Sequence, residues 1–136
     1  MNILGASSIT GSALDAEKIR VDITSQNSAN ANTTKGIDGK PYQRKLVAFE
    51  SMLDASNPNG LQGVRVSEIS ADKSLGELIN NPQHPHADEN GNVQMPNVNV
   101  AFEMVDMMTA TRSYEANLAV VRNARQLANQ ALAIGR

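Results

Sequence analysis

The last 37 residues constrain this chain more than any other stretch. From Val100 to Ile134 there is neither proline nor glycine, and Gly135 follows. Such a run reads as one long helix, roughly 50 Å at 1.5 Å per residue. A single domain of this size is about 30 Å across, so the helix must project from the chain or span an assembly. Asn97 or Asn99 can cap its start, although neither has Glu or Gln three residues later to complete a capping box. Glu103 and Asp106 lie near the beginning and Arg122, Arg125 and Arg136 toward the end, which suits the helix macrodipole.

The apolar pattern of this helix carries two seams. A 4-3 spacing links Met107, Thr111, Tyr114, Leu118, Val121, Arg125, Ala128 and Leu132. A second seam links Phe102, Val105, Thr109, Arg112, Ala116, Ala119, Asn123, Leu127 and Ile134. A helix packed on one partner shows one stripe, and a helix that is apolar on several sides is enclosed. The second seam is interrupted by polar residues, which fits close contact with small side chains.

The remaining sequence supplies little to enclose it. Leu, Ile, Val and Phe total 30 of 136 residues, about 22%, and aromatic residues are 3% with no tryptophan. Large rings contribute most of the burial per residue in a compact core. A chain this poor in them gains stability by docking on other chains, and as an isolated monomer it is expected to be poorly folded. Contacts that run head to tail without closing give a helical tube.

Two further zones precede the long helix. From about Ile9 to Ala31, Ile9, Ala13, Ala16, Ile23 and Ala31 fall near one helical face, and Leu14 and Val21 lie on a second stripe. Arg20 and Asn27 interrupt the first stripe, Ser7 and Ser8 can cap the start, and the Asn32–Gly36 stretch ends the helix. The zone from about Gly36 to Pro96 is irregular. Asp38-Gly39, Asn59-Gly60 and Asn90-Gly91 are turn signals, and short strands are expected at Tyr42 to Leu53, Leu61 to Ile69 and Val93 to Met95. The fold class is therefore mainly α with a small β or irregular middle, divided as 1–35, 36–96 and 97–136.

Several function classes lack a chemical basis. Twelve Lys and Arg against fourteen Asp and Glu give no field for nucleic acid or an anionic membrane. Without cysteine there is no thiol catalysis, disulfide or zinc–thiolate site. No apolar run approaches the roughly 20 residues of a membrane span, and the N-terminus shows no cleavable secretory signal. His84 and His86 flank Pro85, and with Asp88 or Glu89 they raise the alternative of a small metal-binding module. A proline-ordered solvated loop is the better reading, because no second ligand cluster accompanies them. Asp88-Glu89-Asn90-Gly91 lacks the alternating oxygen ligands of a calcium loop and reads as a turn. Glu103 and Asp106 are accounted for by the dipole and solvation. Lys35, Lys40, Arg44 and Lys45 beside Tyr42 read as a solvated loop or a contact rim. Met104, Met107 and Met108 serve equally as core filler or as an adaptable interface.

Specific stretches resemble a known family. Asn27-Ser28-Ala29-Asn30-Ala31-Asn32-Thr33 is similar to the SNxANxxT signature of bacterial flagellar axial proteins. Asp38–Lys45, His84–Gly91, Met95–Asn99, Glu103–Met108 and Arg112–Asn117 resemble successive parts of flagellar basal-body rod proteins of the proximal, FlgC type. Gln26, Ser28 and Asn92 depart from the usual pattern.

The resemblance implies a structural subunit without enzymatic activity or cofactor, whose N- and C-terminal helices pair as a coiled coil in a helical tubular assembly with the middle zone outside that layer. It implies export by the flagellar type III apparatus without a cleavable signal, and a place in the periplasmic rod of the basal body. The partners implied are other copies, other rod subunits, the rod-to-membrane-ring adaptor and the export apparatus, with no nucleic acid and no direct membrane insertion. Subunit contacts are expected at Leu14, Val21, Ile23, Asn27, Asn30, Met107, Tyr114, Leu118, Val121, Leu127 and Leu132. A secreted coiled-coil protein outside the flagellum is the alternative that shares the same helix physics.

Overall fold

A computed structural model describes residues 3–54 and 57–135. Two helices flank two small sheets. Helix α1 spans Ile3–Ala29, strands β1 and β2 span Lys45–Asp54 and Asn57–Ala71, strands β3 and β4 span Leu78–Asn80 and Asn92–Gln94, and helix α2 spans Val100–Ile134.

Helix α2 has the bounds that its uninterrupted sequence requires. Asn99 is its N-cap, with the side-chain oxygen accepting from the amides of Ala101 and Phe102. Asn97 is used elsewhere, at the base of the hairpin. Helix α1 starts earlier than its caps suggested. Ser7 and Ser8 lie inside it as exposed residues, because nothing from Ile3 onward breaks a helix and serine is tolerated there.

Strands β1 and β2 form a long antiparallel hairpin running from the Lys45–Ala71 pair to the Asp54–Asn57 pair. Asn59-Gly60 is therefore not the turn its sequence advertises. It sits inside β2, opposite the stretch where the register shifts near Leu53, and the strand reversal itself falls outside the described residues. The other two turn signals hold. Gly39 and Gly91 both adopt positive φ, 78° and 77°, which costs glycine nothing. The sequence pattern does not predict strand β3, since three residues carry no legible alternation. It pairs with β4 and helps enclose Val93.

The helices run antiparallel, since Asn27 of α1 meets Glu103 of α2 while Arg20 meets Asp106 farther along. The hairpin packs on α1, and among the described residues α1 is the only helix or strand that packs on α2. Helix α1 thus lies between the other two. At Gly63 in β2 the hairpin backbone comes close to α1. The Gly63 φ is 142°, a Cβ there would strike the Ser12 hydroxyl, and that hydroxyl accepts from the Val64 amide at 3.0 Å.

The core is small and partly polar. Among the described residues the buried apolar side chains are Ala16, Ile23, Ala31, Val93 and Ala110, whereas the largest fully buried ones are Glu103 and Asn27. The chain exposes 9776 Å². A compact monomer of 14.6 kDa exposes about 6,900 Å². The excess equals the area that several standard protein contacts, about 800 Å² per partner, would cover.

Candidate assembly interface

The two seams of α2 separate by burial. Met107, Tyr114, Leu118, Val121 and Ala128 of the first seam are half-buried, and among the described elements α1 alone is available to cover them. Ala110 on the same side is wholly enclosed, and its small side chain lets the helices come close. Every residue of the second seam is exposed. Phe102 is 70% exposed, Val105 57%, Leu127 62% and Ile134 85%. Met104 and Met108 lie open beside Phe102 and Val105. Isolated apolar residues on a surface need no account, but Phe102, Val105, Ala116, Ala119, Leu127 and Ile134 share one open side of α2, interrupted by Thr109, Arg112 and Asn123, and such a grouping points to a contact face.

The residues expected at subunit contacts therefore fall into two groups. Leu127 and Leu132 are exposed. Leu14, Val21, Asn30, Met107, Tyr114, Leu118 and Val121 are half-covered by their own chain, and Ile23 and Asn27 are buried within it. A helix-face pattern records that a residue needs covering and is silent about whether the cover is the same chain or a neighbour.

Below this open face lies a polar clasp. Asn27 is 1% exposed and uses all four of its hydrogen-bonding positions. Its amide nitrogen donates to the Lys45 carbonyl at 2.9 Å and to Glu103 Oε2 at 3.0 Å. Its oxygen accepts from the Lys45 amide and from the Tyr42 hydroxyl, both at 2.9 Å. Glu103, 0% exposed, also pairs with Arg44 Nε. The carboxylate is thus buried with a cation, an amide and the start of a helix around it. One turn along, Arg20 pairs with Asp106 at the edge of the same cleft. Burial, and then the Glu103 charge, raise the Tyr42 hydroxyl above its usual pKa of 10.0.

These contacts correct the expectation for the acidic pair. Glu103 and Asp106 are ion-paired to Arg44 and Arg20 instead of resting in solvent. Arg44 likewise leaves the basic loop cluster to enter the clasp. The signal was present in α1, where Arg20 and Asn27 break an otherwise apolar stripe. A polar residue on an inward stripe needs an inward polar partner.

The histidine loop is held by its own hydrogen bonds. The His86 amide donates to His84 Nδ1 at 3.1 Å, and Thr34 Oγ1 lies 2.8 Å from His86 Nδ1. Asp88 Oδ1 accepts from the amides of Asn90 and Asn92, both at 2.8 Å, which builds the turn at Gly91. Among the described residues no group of three or more His, Asp or Glu could hold a metal. No described helix is long and apolar enough to cross a membrane.

A helix pair that carries a hairpin and leaves one apolar face open defines a subunit-type protein, organised around contact surfaces. Comparison with known proteins specifies it. Residues 9–36 match the family described as "Flagella basal body rod protein", and residues 89–134 match "Flagellar basal body rod FlgEFG protein C-terminal". The flagellar basal-body rod protein FlgC of Yersinia enterocolitica is 39% identical over 135 residues, 99% of each chain. That of Agrobacterium fabrum is 46% identical over 125 residues, 90% of this chain and 87% of the relative. That of Bacillus subtilis is 39% identical over 142 aligned positions, 94% of this chain and 95% of the relative. The chain belongs to the flagellar basal-body rod protein family, in its FlgC type. It is a structural subunit of the basal-body rod.

Proposed function

We propose that this chain polymerises through its terminal helices into the tubular proximal rod, the shaft that links the membrane ring to the distal rod and hook and passes torque outward. The single observation that carries this reading is the second seam of α2, whose apolar residues lie open from Phe102 to Ile134 between Thr109, Arg112 and Asn123, beside a seam that α1 half-covers. The surface excess of the isolated chain supports it. In this reading α1 and α2 pair as a coiled coil in the inner layer of the tube, and the segment 36–96 lies outside that layer.

Leu127 and Leu132 then meet neighbouring subunits directly. Leu14, Val21, Ile23, Asn27, Asn30, Met107, Tyr114, Leu118 and Val121 shape the helix pair that presents the seam. The chain performs no catalysis and takes no cofactor. It reaches the periplasm through the flagellar type III export apparatus, and its partners are other copies, other rod subunits and the rod-to-membrane-ring adaptor.

The test is Val105→Asp and Leu127→Asp in a motile host. Export continues, rods fail to form and swimming stops. Normal swimming with both variants would refute the open seam as the assembly face.

A further inference from the structure

Among the described residues the hairpin and α2 do not pack on each other. Their connection is made of side chains at the base of the hairpin. Arg44 and Asp72 flank the Lys45–Ala71 pair, and the Asp72 amide donates to the Arg44 carbonyl at 2.7 Å. Asn97, just ahead of α2, accepts from the Arg44 amide at 2.8 Å and donates to the Asp72 carbonyl at 2.9 Å. It therefore ties the two strands to each other and to the approach of α2. Glu103 then holds the Arg44 side chain, and Asn27 joins Glu103 to both backbone groups of Lys45.

We propose that Asn97, Arg44 and Glu103 form a latch through which docking of α2 on α1 orders the hairpin. The physical basis is directional. The bonds that Asn97 makes to the Arg44 amide and the Asp72 carbonyl, and the Glu103 pairing with the Arg44 side chain, close only when the leading end of α2 is in place, because Asn97 and Glu103 both arrive with it. The Lys45 bonds come from Asn27 of α1. The hairpin has only two strands, and a two-stranded ribbon is marginal without the support of further packing, so ties at its base bear on its order. Asn97, Arg44 and Glu103 are thus positioning residues for the hairpin. The inference concerns contacts within one chain and does not depend on polymerisation.

The experiment uses the full chain, titrated with trimethylamine N-oxide to strengthen folding. Helix content is read by circular dichroism, and amide protection over 45–71 by hydrogen exchange with mass spectrometry. In the wild type both rise together. In Asn97→Ala, and independently in Arg44→Gln, protection over 45–71 falls about tenfold at an osmolyte concentration where helix content matches the wild type. Arg20→Gln, which removes ion pairs to Glu17 and Asp106 of the two helices, leaves the relation between the two signals unchanged. The latch is overturned if hairpin protection is unaffected, if it falls only in step with helix content, or if the wild-type hairpin is unprotected throughout.

Discussion

Asn27 donates its side-chain amide to Glu103 at 3.0 Å, across 76 positions of sequence, and both side chains are almost wholly excluded from solvent. The centre of the molecule is thus a hydrogen-bonded pair drawn from its two terminal helices. Removing either partner leaves a buried polar group unmatched.

The two ion pairs of the cleft should differ in consequence. Arg44→Ala strands a fully buried carboxylate and costs about 3 kcal/mol or more. The Arg20–Asp106 side chains are 26% and 30% exposed, and Arg20→Ala costs about 1 kcal/mol or less. Urea titration of both variants in a fixed concentration of stabilising osmolyte gives the order, and equal losses would contradict it.

Two glycines should respond to alanine with opposite sign. Gly11 lies in α1, and a Cβ added there would meet nothing within 4 Å, so Gly11→Ala stabilises by about 0.5–1 kcal/mol. At Gly76 a Cβ would collide with the backbone of Met95 and Pro96, so Gly76→Ala loosens β3 and β4. Hydrogen exchange over 76–97 reads the second effect, and circular dichroism reads the first.

Alkaline pH should open the clasp. The Tyr42 pKa lies above 10.0 in the folded chain, with burial the larger cause and Glu103 the smaller. A group with a raised folded pKa contributes stability that is fully present below its unfolded pKa. That contribution is lost as pH rises through the folded value. Stability therefore falls above about pH 10, and Tyr42→Phe shows a shallower alkaline decline. An identical decline in both proteins would remove Tyr42 from the clasp.

The isolated chain should melt broadly. Among the described residues its buried apolar side chains are a few alanines with Ile23 and Val93, too little for a sharp two-state transition. A steep, high-temperature melt of the monomer would contradict the dependence on neighbours.

Much of this organisation was legible in the sequence. Helix α2 could be bounded because nothing between Val100 and Ile134 breaks a helix and Gly135 follows. Asp38-Gly39 and Asn90-Gly91 marked true turns because their glycines sit where positive φ is needed. Asn59-Gly60 misled because a strand irregularity uses the same dipeptide chemistry as a turn. The two seams were visible as spacing, but only burial separates the one that α1 covers from the one left open. The clasp was hidden for a different reason. Glu103 and Asp106 satisfy the helix dipole so well that no other partner was needed to account for them, and the arginines they hold lie 59 and 86 positions away.

The Gly63–Ser12 crossing has a mechanical implication. With no side chain between them, the β-ribbon rests on α1 backbone against hydroxyl, and the Val64 amide fixes the point of contact. Together with the base of the ribbon this makes two anchor points separated along α1. A lever pinned at two places cannot swivel about either, so a load applied to the ribbon is delivered to the helix as bending along its length.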